Sequence, residues 1–316
     1  MADKLPEKND VLCLLGPTAA GKTGLAVELC QHYPFEIISV DSALVYRRMN
    51  IGTAKPDPAT LNAAPHALID LVEPWESYSV SRFLGDVESE IQRIIQHNRI
   101  PLLVGGTMMY YHALWFGLSE LPESDSNTRV RLQQRADEIG WQNMHERLAD
   151  IDPVAAKRIH PNDPQRLLRA LEVFELSGVP ISTLQQRKPP ENYRFFNVGI
   201  MPADRSLLHK TIAARFEQML TEGFEREVDG LMNLPEMHVE LASMRCVGYR
   251  QMWDFLADNC TRKEMIERSL AATRQLAKRQ ITWMRRMENL HLLDVAPRID
   301  DLRHVAEFNQ LIDRHR

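Results

Sequence analysis

Apolar runs and amphipathic stretches alternate along the first third of the chain. Four runs rich in apolar side chains have the length of buried strands, at residues 11–15, 35–41, 66–72 and 100–104. Between the first two runs Leu25, Ala26 and Leu29 recur at helical spacing, and residues 79–97 predict an amphipathic helix. A further helix is expected from Thr107. This order of β–α units predicts an α/β fold with a parallel sheet flanked by helices.

The pattern changes near residue 121. From there to residue 190 the chain is charged and helical in pattern, with no convincing strand. One helix is delimited clearly: Asp163 and Pro164 suit its N-cap and first turn, and Gly178 suits its end. We therefore expect a helical insertion domain at residues 121–190.

The strand pattern returns after the insertion. In chain order we expect a strand at 195–200, mainly helices over 204–287, a last strand at 289–295 and an amphipathic helix from 298. The simplest account is one catalytic core made of residues 1–120 and 191–316, interrupted by the insertion. Its C-terminal helical part would contribute to binding.

The clearest chemical signal follows the first predicted strand. Residues 16–23 fit the phosphate-binding pattern G-x-x-x-x-G-K-[ST] between a strand and a helix, as that motif requires. The eight residues are Gly16, Pro17, Thr18, Ala19, Ala20, Gly21, Lys22 and Thr23. Such a loop points backbone N–H groups at an anion, Lys22 adds a charge, and the Thr23 hydroxyl suits Mg²⁺. The sequence thus predicts a P-loop NTPase-like core that binds a di- or triphosphate.

A carboxylate ends the second predicted strand, where ligands of open α/β sheets bind. Asp41 could assist a magnesium ion, act as a general base, or cap the following turn. The strand at 100–104 ends instead in Gly105, Gly106 and Thr107, without the carboxylate that a nucleotide hydrolase usually carries there. This disfavours an ordinary ATPase and predicts a second helix N-terminus facing the same crevice.

Three segments combine basic and polar side chains. They comprise Gln165, Arg166, Leu167, Leu168 and Arg169; Arg245, Cys246, Val247, Gly248, Tyr249 and Arg250; and Lys278, Arg279, Gln280, Ile281, Thr282, Trp283, Met284 and Arg285. Arginine and lysine beside Tyr and Trp suit an RNA backbone with unstacked bases. A solvated helix face is the alternative for any single segment. Arg215 is either a second cation for the phosphates or a surface helical arginine.

Composition narrows the class of protein. The chain has 316 residues and a net charge of −5, so any nucleic-acid binding must come from local patches. The N-terminal residues 1–10 do not resemble a signal peptide, and no apolar run is long enough to span a membrane. The four cysteines form no C-x-x-C pair, which disfavours zinc. We expect a monomer in a reducing, cytoplasmic setting.

Taken together, the motifs resemble one family, the tRNA dimethylallyltransferases, also called tRNA isopentenyltransferases, in their bacterial form. The resemblance rests on residues 16–23, 41–46, 51–56, 105–107, 160–163, 165–169, 245–250 and 278–285. It implies transfer of a dimethylallyl group from dimethylallyl diphosphate to N6 of adenosine 37, next to the tRNA anticodon. Pyrophosphate is the leaving group, so the loop would bind a diphosphate and not ATP.

The resemblance also implies roles for individual residues. Lys22, Arg215 and Mg²⁺ on Thr23 would stabilise the pyrophosphate, and Asp41 would take the proton from N6. Several further positions match residues with which the family contacts tRNA: Asp41, Ser42, Ala43, Leu44, Thr107 and Arg129, together with the three basic segments. The segments would bind the anticodon stem-loop, from whose stack the target base must leave.

Two other functions share part of these motifs. A small-molecule or nucleoside kinase with a helical lid would use the loop, Asp41 and the insertion, but it leaves the segments at 245–250 and 278–285 without a role. A non-catalytic RNA-binding protein with a nucleotide switch would leave Asp41 unexplained. Loss of chemistry with retained RNA binding on Asp41→Ala would separate the transferase from both.

Overall fold

The computed structural model describes residues 8–119, 121–185 and 189–315, which contain a mixed α/β core built on one sheet. Its six strands are β1 Asn9–Leu15, β2 Phe35–Val40, β3 His66–Ala67, β4 Ile100–Gly105, β5 Tyr193–Ile200 and β6 Leu290–Leu293. All neighbours pair in parallel, in the order β3-β2-β4-β1-β5-β6. The predicted parallel sheet is confirmed.

The two central strands explain the apolar runs. On β1, Leu12 pairs with Leu102 of β4 on one side and with Phe196 of β5 on the other. Leu12 and Leu102 are fully buried because helices cover both faces of the sheet. Burial of each such leucine contributes about 1.5–3 kcal/mol, so the runs hold the sheet together.

The predicted strand at 66–72 is wrong in length, because only His66 and Ala67 join the sheet. Leu68 and Asp70 have φ of 62° and 53°, which lie in the left-handed region and interrupt an extended strand. The chain returns to strand geometry only at Val72, in an isolated bridge with Tyr46.

Helices follow the first strands as predicted. They are α1 Lys22–His32, α2 Pro58–Ala63, α3 Val80–Gln96 and α4 Met108–Phe116, of which the short α2 was not predicted. Ser79 caps α3 by accepting a hydrogen bond from the N–H of Arg82. Leu25 and Leu29 of α1 are buried in the core of the sheet, which confirms the helical spacing read from the sequence.

Residues 114–190 form a compact helical unit of their own. Its further helices are α5 Ser126–Ile139, α6 Trp141–Ile151, α7 Pro153–Arg158, α8 Pro164–Ser177 and α9 Ile181–Leu184. Helix α8 begins and ends where predicted, with Asp163 accepting a hydrogen bond from the N–H of Arg166 and Gly178 at a φ of 70°. The core of this unit includes Leu132, Met144, Leu148, Leu167 and Leu171.

The rest of the chain is mainly helical. It contains α10 Arg205–Glu222, α11 Phe224–Met232, α12 Tyr249–Leu256, α13 Arg262–Met284, α14 Ile299–Arg303 and α15 Ala306–Arg314. The single helix predicted from residue 298 is two helices, whose Leu302 and Phe308 pack against the sheet. None of the described helices combines the length and apolar character that a bilayer crossing requires.

Candidate functional site

The loop between β1 and α1 has the backbone of an anion-binding turn. Ala19 and Gly21 adopt φ of 64° and 95°, in the left-handed region that allows the tight curl. Gly21 is also the N-cap of α1, and it offers no side chain to cap the first-turn N–H groups. These donors and the positive end of the helix dipole are therefore available to an anion.

A cavity of about 440 Å³ lies against this loop. One wall is formed by residues 19–24, and the other by the face of α10 that carries Thr211, Ala214, Arg215 and Gln218. Those four residues follow helical spacing, so α10 turns one side towards the loop. Arg215 is thus brought to the phosphate loop from nearly two hundred residues away.

Two cations border the cavity. The Lys22 Nζ donates to the carbonyl oxygens of Gly16 and Pro17, at 3.0 and 2.8 Å. Burial lowers the pKa of Lys22 to about 8, Asp41 raises it and Arg215 lowers it. Burial also lowers the pKa of Arg215, against the opposing effect of Asp41. The negative charge near Lys22 and Arg215 does not offset the effect of burial on their pKa values, so both cations would be stabilised by a polyanionic ligand.

Asp41 follows β2 and lies within electrostatic reach of both cations. Its Oδ1 accepts a hydrogen bond of 2.9 Å from the N–H of Ala43, so it does cap the following turn. That role occupies one carboxylate oxygen and is compatible with chemistry at the other. The end of β2 is tied to the end of β4, because the Ser42 N–H donates to Thr107 Oγ1 at 3.0 Å.

The residues beside the cavity fit a magnesium ion that shares its coordination with phosphate oxygens. Thr23 is exposed, lines the cavity and offers one hydroxyl oxygen. Magnesium is typically held by one or two protein oxygens together with phosphates and waters. Within residues 8–119, 121–185 and 189–315, no group of three or more His, Cys, Asp or Glu side chains is arranged to hold a metal ion.

The basic segment on α8 is organised by a carboxylate that the sequence did not single out. Glu172 is fully buried and contacts the guanidinium groups of Arg129 and Arg169, at 3.2 and 2.8 Å. Gln165 and Arg166 are exposed on the same helix. The sequence gives a local signal only for the contact between Glu172 and Arg169, which lie three residues apart on one helix. Arg129 is distant in sequence, so no spacing rule predicts its contact with Glu172.

The three basic segments lie largely on helices, so some of their side chains face the core and others face the surface. Five predicted RNA contacts have buried side chains: Leu167, Tyr249, Gln280, Ile281 and Met284. In this fold these five side chains pack in the core and not at the surface, so their assignment as tRNA contacts stays a prediction. The exposed members are Gln165, Arg166, Arg245, Arg250, Lys278, Arg279, Thr282, Trp283 and Arg285.

Comparison with known proteins places the chain in a family. A family model described as IPP transferase matches residues 44–287. The chain is 33% identical to the tRNA isopentenylpyrophosphate transferase of Bacillus halodurans, covering 98% of both chains with a TM-score of 0.70. It is 30% identical to the tRNA delta(2)-isopentenylpyrophosphate transferase of Staphylococcus epidermidis, covering 97% of both chains with a TM-score of 0.64.

A eukaryotic relative extends the likeness. A eukaryotic dimethylallyltransferase acting on tRNA is 25% identical, with a TM-score of 0.77, over 96% of this chain and 78% of that one. The family match covers well over half of the residues, and the bacterial structures cover nearly all of them. The chain therefore belongs to the IPP transferase family.

Proposed function

We propose that this enzyme transfers a dimethylallyl group from dimethylallyl diphosphate to N6 of adenosine 37, adjacent to the tRNA anticodon. The products are N6-(dimethylallyl)adenosine in the tRNA and pyrophosphate. The observation that carries the proposal is the meeting of Asp41, Lys22 and Arg215 beside a phosphate loop. Family membership supports the same reaction, and it gives no support to the kinase alternative.

The phosphate end of the site stabilises the leaving group. As the bond from the allylic carbon to the diphosphate oxygen breaks, negative charge accumulates on pyrophosphate. The N–H groups of the loop, Lys22 and Arg215 are already in place around the cavity, so they stabilise that charge without reorganisation. A magnesium ion held by Thr23 and the phosphates would act as a Lewis acid on the same oxygens.

The nucleophile needs alignment and a proton acceptor. An adenine amino group is a weak nucleophile, so holding N6 against the allylic carbon contributes much of the rate. Asp41 follows β2 at the carboxyl edge of the sheet, within electrostatic reach of both cations, and it accepts the proton that N6 loses as the C–N bond forms. Ser42, Ala43 and Leu44 follow it directly and are suited to line the pocket for the base.

We propose that tRNA is bound by basic and polar side chains of two parts of the chain. Residues 121–190 act as a separate helical domain, whose contribution centres on Arg129, Gln165, Arg166 and Arg169. The core contributes Thr107, Arg245, Arg250, Lys278, Arg279, Trp283 and Arg285. Because the chain as a whole is acidic, binding depends on these local charges and weakens as salt is raised.

The variant Asp41→Asn tests the chemical role most sharply. Asparagine retains an oxygen that accepts the Ala43 N–H, so the turn is kept while the proton acceptor is lost. We expect turnover to fall about 10²–10⁴-fold, the usual contribution of general base catalysis, with the Kd for tRNA nearly unchanged. Single-turnover transfer and filter binding measure the two. Turnover close to that of the unaltered enzyme would refute the assignment of Asp41 as the base.

A further inference from the structure

Gln280 connects the two loops that frame the phosphate site. It lies on α13 within a segment predicted from sequence to contact tRNA, yet its side chain is 8% exposed. Its Oε1 accepts a hydrogen bond of 3.0 Å from the N–H of Thr18 in the phosphate loop. Its Nε2 donates to the carbonyl oxygen of Gly106, at 2.8 Å. Both ends of one amide are therefore used, each by a loop at the carboxyl edge of the sheet.

The Gln280 amide lies directly against the backbone of Gly106. A Cβ on Gly106 would lie 2.3 Å from the Gln280 Nε2 and 3.1 Å from the carbonyl oxygen of Gly16. Glycine at position 106 is what allows α13 and the phosphate loop to approach the end of β4 this closely. The contact thus depends both on the carbonyl oxygen of Gly106 and on the absence of a side chain there.

Helix α13 is itself fixed against the helix that supplies the second cation. Ala277 and Ile281, on either side of Gln280, pack with Leu208 and Ile212 of α10, and Ala19 of the phosphate loop joins this cluster. The same α10 carries Arg215 to the cavity. Gln280 therefore holds the loop at a set distance from a helix pair that already positions the phosphate-binding arginine.

Both hydrogen bonds are costly to lose. Removing one partner of a buried hydrogen bond leaves the other unsatisfied, here the Thr18 N–H or the Gly106 carbonyl. Since the Thr18 donor already has an acceptor, the diphosphate is left to the donors that follow it, in residues 19–23. Any shift of the loop away from α13 changes the direction of those N–H groups and weakens their hydrogen bonds to the diphosphate.

We propose that Gln280 is a positioning residue that sets the phosphate-binding loop for diphosphate, and that it is not a contact to tRNA. The inference rests on the proposed function for the identity of the diphosphate substrate. It assigns to Gln280 an effect on diphosphate affinity that an RNA contact would not have.

The test compares Gln280→Leu, which is similar in size but has no polar atoms, with Gln280→Glu, which keeps the acceptor and loses the donor. Gln275→Leu is the matched control, because Gln275 is exposed on the same helix. For each variant, calorimetry with Mg²⁺ gives the Kd of inorganic pyrophosphate, and filter binding gives the Kd of tRNA. Steady-state rates give kcat and the KM for dimethylallyl diphosphate.

We expect Gln280→Leu to weaken pyrophosphate binding at least tenfold and to raise the KM for dimethylallyl diphosphate in parallel. Gln280→Glu should weaken both as well, because its second oxygen faces the Gly106 carbonyl and its charge repels the anion, and Gln275→Leu should change neither. The Kd for tRNA should stay within about twofold throughout, because the buried amide does not reach RNA. Weaker tRNA binding with unchanged pyrophosphate binding would overturn the proposal, and so would variants in which neither affinity changes.

A double-mutant cycle keeps the proposal testable if Gln280→Leu folds poorly. Gly106→Ala should weaken pyrophosphate binding when Gln280 is present, because the added methyl displaces the amide. The same change should cost less in a Gln280→Ala background, where the closest contact is gone. Additive effects would contradict the proposal. These pyrophosphate measurements do not require turnover, so failure of dimethylallyl transfer by the unaltered enzyme would refute the proposed function alone.

Discussion

The carboxylate of Glu227 anchors the loop that follows α1 and β2 to the C-terminal helices. Its Oε2 accepts the N–H groups of Asn50 and Ile51, at 2.8 and 2.7 Å. Its Oε1 accepts the N–H of Gly52 at 3.0 Å and the hydroxyl of Tyr249 at 2.5 Å. Tyr249 is fully buried, and it begins the helix that carries Arg250. Substitution of Glu227 by glutamine changes only one atom of this arrangement.

The cost of Glu227→Gln follows from that geometry. Each carboxylate oxygen accepts from two donors, so an NH₂ group in place of either one removes an acceptor. The less costly orientation turns NH₂ towards Tyr249, whose hydroxyl can accept, and leaves the Gly52 N–H without its acceptor. A hydrogen bond to a charged group contributes about 1.5–3 kcal/mol, and Glu227 is partly buried, so we expect the free energy of unfolding of the core to fall by about 2 kcal/mol.

Equilibrium unfolding in urea, followed by tryptophan fluorescence and by circular dichroism, measures this loss. Glu225→Gln is the matched control on the same helix, since Glu225 forms an ion pair with Arg262 in which both side chains are exposed. That pair should contribute no more than about 1 kcal/mol. If Glu227→Gln were no more destabilising than Glu225→Gln, the anchoring role of this carboxylate would be refuted.

Two further predictions concern charge. Burial lowers the pKa of Lys22 to about 8, opposed by Asp41 and reinforced by Arg215, and only the protonated amine attracts an anion. Calorimetry should find pyrophosphate affinity weakening as pH rises through about 8, and Lys22→Met should lack this component. Comparing the two proteins at each pH cancels the titration of pyrophosphate itself. Burial raises the pKa of Glu172, but its hydrogen bonds, led by that from Arg169, lower the pKa by more than burial raises it. The net pKa is below the ordinary 4.5. Its stabilisation is complete above that ordinary value and is lost as pH falls below it, so urea unfolding from about pH 6 to about pH 3 should show a decline that Glu172→Gln lacks.

The strands and the phosphate loop could be predicted because their signals are local. An apolar run of strand length, or glycines and a lysine at fixed spacing, requires no knowledge of distant residues. The prediction of the third strand was wrong in length for an equally local reason. Left-handed conformations at Leu68 and Asp70 end the strand, and such conformations are uncommon outside glycine and do not change the hydropathy pattern.

The rest of the site depends on contacts between distant segments. Gln280 bonds to Thr18 across 262 positions, and no spacing rule connects the two. The sequence placed Gln280 among arginines and lysines and therefore suggested an RNA contact, whereas helical geometry turns it into the core. The sequence left Arg215 as either a second cation or a surface arginine, and its place on the wall of the cavity follows from the packing of α10.

The most direct test of the account is a paired incubation of the protein with Mg²⁺ and unmodified tRNA that contains adenosine 37. One sample receives dimethylallyl diphosphate and the other receives ATP, and mass spectrometry of the digested nucleosides reports the product. The account predicts a five-carbon addition to adenosine in the first sample only. Unmodified adenosine in the first sample, with consumption of ATP in the second, would contradict it.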